Sequence, residues 1–266
     1  MLTIVGNGKS RIIPESNWWG CNAIYRDGYT PDLLFSIDIT MHREIVHNGY
    51  YKENKFVVGD MSFIPMQHVD MLRLGHEGQE VIEEIHDDDD LLVIQGDLEI
   101  DKYVSFLGVN SKHVDNIVIY NNDIMKNLMS GPSAIAYAFQ NGHDEITLTG
   151  FDALFTDDVS NVYEGSVNYK PKYEEWMGVK DIQRAQFLAL CEEYKDKKIY
   201  FKKSIDEMEE IDYTKLSYYE SSERWILGEG YLPHLLKWTK GTPDYDRYDK
   251  MTNTIVNKIG EYNAKR

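Results

Sequence analysis

The stretch Ser130–Asp152, SGPSAIAYAFQNGHDEITLTGFD, puts a helix directly before a strand and decides the fold class. The helix is predicted over 125–141. Its core-facing side is expected to carry Ala134, Ile135, Ala138 and Phe139. Glu145–Leu148 (EITL) then predicts a strand that ends in the turn Thr-Gly-Phe-Asp. Apolar strands that alternate with helices indicate a mostly parallel sheet with covered faces.

The same alternation continues in both directions along the chain. Further strands are predicted at Leu2–Val5, Gly20–Tyr25, Asp32–Ile37, Lys55–Val58, Leu91–Gln95, Asn116–Tyr120 and Lys198–Phe201, with helices at Met41–His47 and 179–195. We therefore expect an α/β protein: a Rossmann-like, mostly parallel sheet with helices on both faces. Residues 1–204 are expected to form this domain, with 60–115 as an insertion or lid. Residues 205–266 are expected to add a helical C-terminal extension packed on the same domain.

Composition limits the classes of function. A net charge of -17 in 266 residues disfavours broad binding to DNA, RNA or an anionic membrane. The two cysteines, Cys21 and Cys191, form no disulfide framework and no zinc spacing, which fits a reducing compartment. The sequence shows neither a signal peptide nor an apolar run long enough to span a bilayer, so a cytoplasmic protein is expected. The acidic run His86–Asp90 is interpreted as a solvated turn, and no metal site is expected.

The chain begins MLTIVGNGKSR, in which a strand leads into a glycine-containing turn with two cations. Glycines let a backbone approach a ligand closely, and Lys9 and Arg11 add positive charge. The turn is therefore a candidate phosphate site. Its members are Gly6, Asn7, Gly8, Lys9 and Ser10. The alternative is an ordinary turn that ends a strand.

Other polar residues also follow predicted strands, where open α/β sheets bind ligands. Asn22 offers an amide to a base, ribose or sugar, or else stabilises its own turn. Asp38 is either a catalytic or binding carboxylate or the N-cap of the next helix. Ser130 and Gly131 open a helix whose N-terminus favours anions, and Ser130 could also cap it.

Asp152 is predicted at the same edge of the sheet as these residues, because it ends the strand at Glu145–Leu148. Tyr163 and Tyr169 follow in a loop, and their hydroxyls could donate hydrogen bonds to a phosphate. The alternative for this pair is a tyrosine-rich surface loop, in a chain that has 19 tyrosines.

The order of these motifs resembles that of a known enzyme family. GNGxS, then CN, a PDxxFSxD-like strand end, SG before a helix and finally TGFD are similar to the bacterial sialyltransferases of glycosyltransferase family 42. They also resemble the related MptE-like pyrophosphokinases. The resemblance covers roughly residues 1–200, with a poor fit over 60–115. It implies a metal-independent GT-A variant that binds a nucleotide sugar, with CMP-sialic acid as that family's donor.

The resemblance also implies roles for residues that match its motifs. Gly6, Asn7, Gly8 and Ser10 would line the donor phosphate and sugar, and Asn22 the nucleotide or sugar. Ser130 and Gly131 would lie at the donor, and Asp152 near the nucleoside. Tyr163 and Tyr169 would match the tyrosine pair that stabilises the leaving phosphate.

One departure concerns the base. The histidine base of that family falls here at about Trp176, and there is no histidine between His143 and His234. The base is then expected among Asp38, Asp152 and Glu175. The departure also leaves a UDP-linked donor as open as a CMP-linked one.

The expected function is therefore transfer of a sugar from a CMP- or UDP-linked donor to an acceptor hydroxyl. The acceptor would lie on a glycan or on a hydroxymethylated DNA base, which lysines between Lys170 and Lys203 could approach. The nucleotide sugar is a co-substrate, no cofactor or metal is expected, and the sequence is compatible with an oligomer. The alternatives are an MptE-like pyrophosphokinase that uses ATP and Mg²⁺, and a non-catalytic nucleotide- or glycan-binding module.

Overall fold

The protein consists of two compact units in a computed structural model. One unit comprises Met1–Asp38 and Asn122–Lys240, and the other Ile39–Asn121 and Gly241–Arg266. The residues described are 1–37, 41, 44–45, 48–59, 63–65, 79–86, 91–98, 104–109, 116–120, 128–156, 161–167, 169 and 176–219.

The described elements are twelve strands and three α-helices, with short 3-10 helices between some of them. The strands are β1 (Leu2–Val5), β2 (Trp18–Cys21), β3 (Leu33–Phe35), β4 (Phe56–Gly59), β5 (Phe63–Pro65), β6 (Gln79–His86), β7 (Leu91–Leu98), β8 (Val104–Val109), β9 (Ile117–Tyr120), β10 (Glu145–Thr149), β11 (Lys198–Lys202) and β12 (Met208–Glu210). The α-helices are α1 (Ser130–Gln140), α2 (Asp152–Phe155) and α3 (Trp176–Glu193).

The sheet of the first unit has the strand order β12-β11-β10-β1-β2-β3. All neighbours in it are parallel except β12, which runs antiparallel to β11. From β1 the chain adds β2 and β3 on one side, and later β10 and β11 on the other. The order therefore reverses between β1 and β10, which is where open α/β sheets form their ligand crevice. This mixed α/β fold with a mostly parallel sheet confirms the sequence prediction at that level.

The helix that decided the fold class lies on this sheet. The four positions predicted to face the core, Ala134, Ile135, Ala138 and Phe139, are all buried. They are buried because α1 packs against β1, β2 and β3. Tyr137, on the same helix, contacts the rings of Trp19 and Phe35 with centroids 5.6 and 5.4 Å apart. The small and apolar face of α1 thus covers the centre of the sheet.

The second predicted strand differs from the structure. Gly20–Tyr25 was expected, but β2 spans Trp18–Cys21 and Asn22–Asp27 forms a 3-10 helix. The strand ends because Asn22 takes a left-handed conformation, with φ of 50°. The turn brings Ile24 back over the strand, where its Cγ2 would lie 2.5 Å from a Cβ at Gly20. A side chain at Gly20 would therefore displace the Ile24 side chain from this position.

The second unit contains more strand than the sequence predicted. Its strands β4 and β9 pair in parallel, and a separate sheet has the order β5-β8-β7-β6. In that sheet β6, β7 and β8 are antiparallel neighbours, while β5 runs parallel to β8. Part of the stretch 60–115, which was expected to be an insertion or lid, thus forms a meander of paired strands. Its role as an insertion or lid stays a prediction. The helix predicted at Met41–His47 lies mostly outside the described residues.

The end of the described chain also differs from the prediction of helices over 205–266. Residues 205–219 hold strand β12 and a short 3-10 helix, Tyr213–Lys215. The remainder of the predicted extension lies outside the described residues, and the boundary at 204/205 stays a prediction. Cys21 and Cys191 are buried free thiols. Within the described ranges, no helix is both long and apolar enough to cross a membrane.

Candidate functional site

The turn after β1 is held against the turn after β10. The Gly6 amide donates to the Thr149 carbonyl at 2.8 Å, and the Gly8 amide to the Gly150 carbonyl at 2.8 Å. A Cβ at Gly6 would overlap the Gly150 carbonyl oxygen. Gly150 has a φ of 70°, and a Cβ there would lie 2.7 Å from that of Arg11. Two of the glycines in GNGKSR and TGFD are therefore required by this close approach of the two turns.

Asp152 links the same two turns by hydrogen bonds. Its carboxylate accepts a hydrogen bond from the Ser10 amide at 3.0 Å and another from the Ser10 hydroxyl. The side chain is buried, with only 7% of the residue exposed. The amides of Gly6, Gly8 and Ser10 thus all donate within the protein. A phosphate at this turn would be held instead by side chains, of which Lys9 is exposed.

The predicted tyrosine pair lies beside this turn. The rings of Tyr163 and Tyr169 pack with centroids 5.6 Å apart, and both residues are buried. Asn7 Nδ2 donates to the Tyr169 hydroxyl at 3.0 Å. The Asn7 carbonyl accepts from the Val162 amide at 2.9 Å, which ties the tyrosine loop to the turn. The structure therefore brings together three of the predicted site residues, Asn7, Tyr163 and Tyr169.

Two arginines and a carboxylate complete this part of the site. Arg11 donates from Nη1 to the Tyr163 hydroxyl at 2.7 Å and from Nη2 to Asp27 Oδ2 at 2.5 Å. The Tyr163 hydroxyl donates to the same Asp27 oxygen at 2.6 Å. The Arg26 guanidinium lies over the rings of Tyr163 and Tyr169, 5.7 and 5.6 Å from their centroids. Arg11, Arg26, Asp27 and Tyr163 are called the Arg11 cluster below.

Burial and hydrogen bonds within the cluster together set the pKa values of Asp27 and Tyr163. Burial alone would raise the pKa of Asp27, but hydrogen bonds from Tyr163 and Arg11 outweigh it and hold that pKa below its usual value. Burial, together with the bond to Asp27, raises the pKa of Tyr163 to about 12. Asp27 is therefore ionised and Tyr163 neutral across the physiological range.

A second group of predicted residues joins the ends of β2 and β3 to the start of α1. The Ser130 hydroxyl donates to Asn22 Oδ1 at 2.8 Å and accepts from the Ile37 amide at 2.9 Å. Ser130 is the first helical residue, and the N-cap position is Met129, so the predicted capping role of Ser130 is wrong. Its hydroxyl is unavailable as a cap because it bridges Asn22 and the chain after β3.

Gly131 connects α1 to the TGFD turn. A Cβ at this position would lie 2.7 Å from Cε1 of Phe151, so a larger residue would displace the Phe151 ring from the helix. The SG and TGFD motifs, which are 19 residues apart along the chain, therefore meet in space. This contact explains Gly131 by packing, whatever ligand the helix N-terminus faces.

Some predicted site residues cannot be located. Asp38 and Glu175 lie outside the described residues. Sequence reasoning did not single out Arg26 and Asp27, which the structure places in the site. In the described part of the chain, no group of three or more His, Cys, Asp or Glu side chains is arranged to hold a metal ion.

Comparison with known proteins gives no relative for this chain. No family model, no curated protein and no solved structure matches it significantly. The likeness to family 42 glycosyltransferases therefore rests on the order of the motifs.

Proposed function

We propose that this protein is a glycosyltransferase that uses a nucleotide-sugar donor in a GT-A variant of the Rossmann-like fold. The donor would be CMP- or UDP-linked, and the acceptor a hydroxyl on a glycan or a hydroxymethylated DNA base. The observation that carries the proposal is the packed pair Tyr163–Tyr169, hydrogen-bonded to Arg11 and Asn7 of the GNGKSR turn. That pair lies beside the end of β1, where the order of strands reverses.

The chemistry explains why such groups suit this reaction. The acceptor oxygen attacks the anomeric carbon, and the bond from that carbon to the phosphate oxygen breaks. The electron pair leaves with the nucleotide, so negative charge develops on its phosphate. A guanidinium and neutral tyrosine hydroxyls, held in a mostly buried position, would stabilise that charge. The proton of the acceptor passes to a carboxylate.

The contacts of Asp152 bear on which carboxylate takes that proton. Its oxygens already accept two hydrogen bonds from Ser10, and it is buried. We assign it a positioning role in the proposed reaction. Asp38 directly follows Ile37, whose amide donates to Ser130. It is then the first base to test, followed by Glu175.

The first experiment identifies the nucleotide. Melting temperatures would be measured with CMP, UDP, GDP, ADP and ATP, each with Mg²⁺ and with EDTA, because a bound ligand raises the melting temperature. A shift with CMP or UDP that persists in EDTA is the expected result. A shift only with ATP and Mg²⁺ would favour the pyrophosphokinase and contradict the proposal. Binding of CMP or UDP without turnover of any matching donor sugar would favour the non-catalytic binding module.

The second experiment tests the tyrosine pair. Release of CMP or UDP from the matching donor would be followed for Tyr163→Phe and Tyr169→Phe, with Tyr200→Phe on β11 as the control. Loss of one donor to a developing oxyanion lowers kcat by about a hundredfold. We expect that loss for at least one of the pair and wild-type kcat for the control. Equal rates in all three variants would remove the main support for the proposal.

A further inference from the structure

The Asp27 carboxylate occupies the centre of the Arg11 cluster. Arg11 Nη2 and the Tyr163 hydroxyl both donate to one oxygen, Oδ2, at 2.5 and 2.6 Å. Arg11 Nη1 also donates to the Tyr163 hydroxyl at 2.7 Å, so the two donors are held together. A guanidinium and a hydroxyl that converge on one anionic oxygen form the kind of arrangement that binds a phosphate oxygen.

We propose that the Arg11 cluster is a phosphate-binding site in which Asp27 stands in for the ligand until a phosphate displaces it. The ligand class is a nucleotide that carries a phosphate or diphosphate. The nature of the nucleotide rests on the proposed function, whereas the site and its internal competitor do not.

The charges of the cluster favour an anion. Arg11 and Arg26 carry two positive charges against the single negative charge of Asp27, in a chain whose net charge is -17. Arg26 is held by Ser166 Oγ at 2.9 Å and by the Val167 carbonyl at 2.8 Å, and it lies over both tyrosine rings. Because these contacts do not involve Asp27, this second guanidinium can stay in place when Asp27 leaves. The cluster then carries two positive charges for the incoming phosphate.

Exposure shows how a ligand could replace the carboxylate. The Arg11 side chain is 15% exposed, whereas that of Asp27 is 35% exposed. The carboxylate is therefore the more accessible of the two groups. Asp27 is the last residue of the 3-10 helix Asn22–Asp27, directly before Gly28. A phosphate approaching from solvent meets Asp27 first and can take over both of its hydrogen bonds.

A separate observation indicates a ligand at the same place. Asn7 Oδ1 is buried and has no hydrogen-bond partner among the residues that the structure describes. The Nδ2 atom of the same amide donates to Tyr169, whose ring packs on that of Tyr163. A buried acceptor without a partner destabilises a protein. A hydroxyl or amino group of a ligand bound next to the tyrosine pair would satisfy it.

The test uses inorganic pyrophosphate and inorganic phosphate as probes, with binding measured by calorimetry. Asp27→Asn removes the internal competitor, and Asp144→Asn is the control. Asp144 also pairs with a cation, Lys197, and its substitution changes the net charge equally. An internal competitor lowers apparent affinity by the fraction of molecules in which the site is open, so we expect Asp27→Asn to bind pyrophosphate about tenfold more tightly than wild type. Asp144→Asn should bind like wild type.

Two further variants remove donors from the site. Arg11→Gln and Tyr163→Phe should both weaken pyrophosphate binding, and circular dichroism checks that each is folded. Tyr163→Phe removes only a hydroxyl, so it gives an answer even where Arg11→Gln does not fold. Undiminished binding in the folded variants would overturn the proposal.

A nuclear magnetic resonance titration of the Asp27 carboxyl carbon gives a readout that a purely structural ion pair would not change. Saturating pyrophosphate should raise the pKa of Asp27, because the carboxyl loses both donors and gains a negative neighbour. An unchanged pKa, or pyrophosphate binding no tighter in Asp27→Asn than in Asp144→Asn, would contradict the proposal.

The results also separate this site from the proposed function. Pyrophosphate binding with no binding of CMP or UDP would support this site and contradict the proposed function. Binding of CMP or UDP with no binding of pyrophosphate would support the proposed function and contradict this site.

Discussion

At the scale of single residues, Gly6 illustrates how little space the site allows. A Cβ at this position would overlap the carbonyl oxygen of Gly150, which belongs to backbone and cannot rotate away. We expect Gly6→Ala to lower the free energy of unfolding by about 1–3 kcal/mol, the usual range for overpacking. Urea unfolding measures this directly.

The matched control for that prediction is Gly142→Ala. Gly142 has a φ of 85° but nothing within 4 Å of its Cβ position, so the substitution reports backbone strain alone, about 1–2 kcal/mol. Gly6 has no positive φ, and its loss of stability would come from the overlap. Wild-type stability in Gly6→Ala would show that the two turns are not as close as described.

Ser10 and Asp152 form the other contact between the two turns. Ser10→Ala removes the hydroxyl bond, whereas Asp152→Ala removes that bond and the one from the Ser10 amide. Hydrogen bonds to charged groups contribute about 1.5–3 kcal/mol each. We expect Asp152→Ala to destabilise the protein more than Ser10→Ala. The loss of stability in the double variant should be smaller than the sum of the losses in the two single variants. Strictly additive losses in urea unfolding would mean that the two side chains do not interact.

At the scale of elements, Ser130 joins α1 to the ends of two strands. Ser130→Ala leaves the Ile37 amide and Asn22 without their shared partner. We expect a loss of about 1–3 kcal/mol in the free energy of unfolding, the cost of an unsatisfied buried polar group. Ser133→Ala is the control, since its hydroxyl donates to the Leu128 carbonyl, five residues earlier in the chain. A larger loss in the control would contradict this role for Ser130.

The elements that were predicted well are those whose signal is local. Apolar runs predicted β1 and β10, and the spacing of small and apolar residues predicted the buried face of α1. The prediction of β2 was wrong because its end depends on the left-handed Asn22 and on the packing of Ile24 over Gly20. No apolar pattern reports either of these.

The same distinction applies to the candidate site. Parallel strand ends meet at one edge, so Asn7, Ser10 and Asp152 could be expected near one another from their positions after strands. The Arg11 cluster could not be predicted, because Tyr163 lies in a loop and its place beside Arg11 and Asp27 does not follow from the end of a strand. The convergence of its side chains depends on how the tyrosine loop lies on the turn after β1.

At the scale of the whole molecule, the Arg11 cluster links stability to pH. The folded pKa of Asp27 is lower than its ordinary value of 3.8, so its ionised form stabilises the fold above that value. This contribution disappears as the pH falls through the lower, folded pKa. We expect wild type to be more stable than Asp27→Asn at about pH 5 and the difference to shrink by about pH 2. Urea unfolding across this range tests it, and a constant difference would show that the carboxylate is not held by its partners.

The reactivity of the two buried cysteines can report local opening of the unmodified protein. Burial raises the pKa of Cys21 to about 12, and burial followed by the charge of Glu192 raises that of Cys191. Only thiolates react readily with alkylating reagents, so neither residue should be labelled until its surroundings open. Cys21 ends β2 next to Asn22, and Cys191 lies in α3. The two alkylation rates would therefore show separately how often the end of β2 and helix α3 open, with no substitution anywhere in the protein.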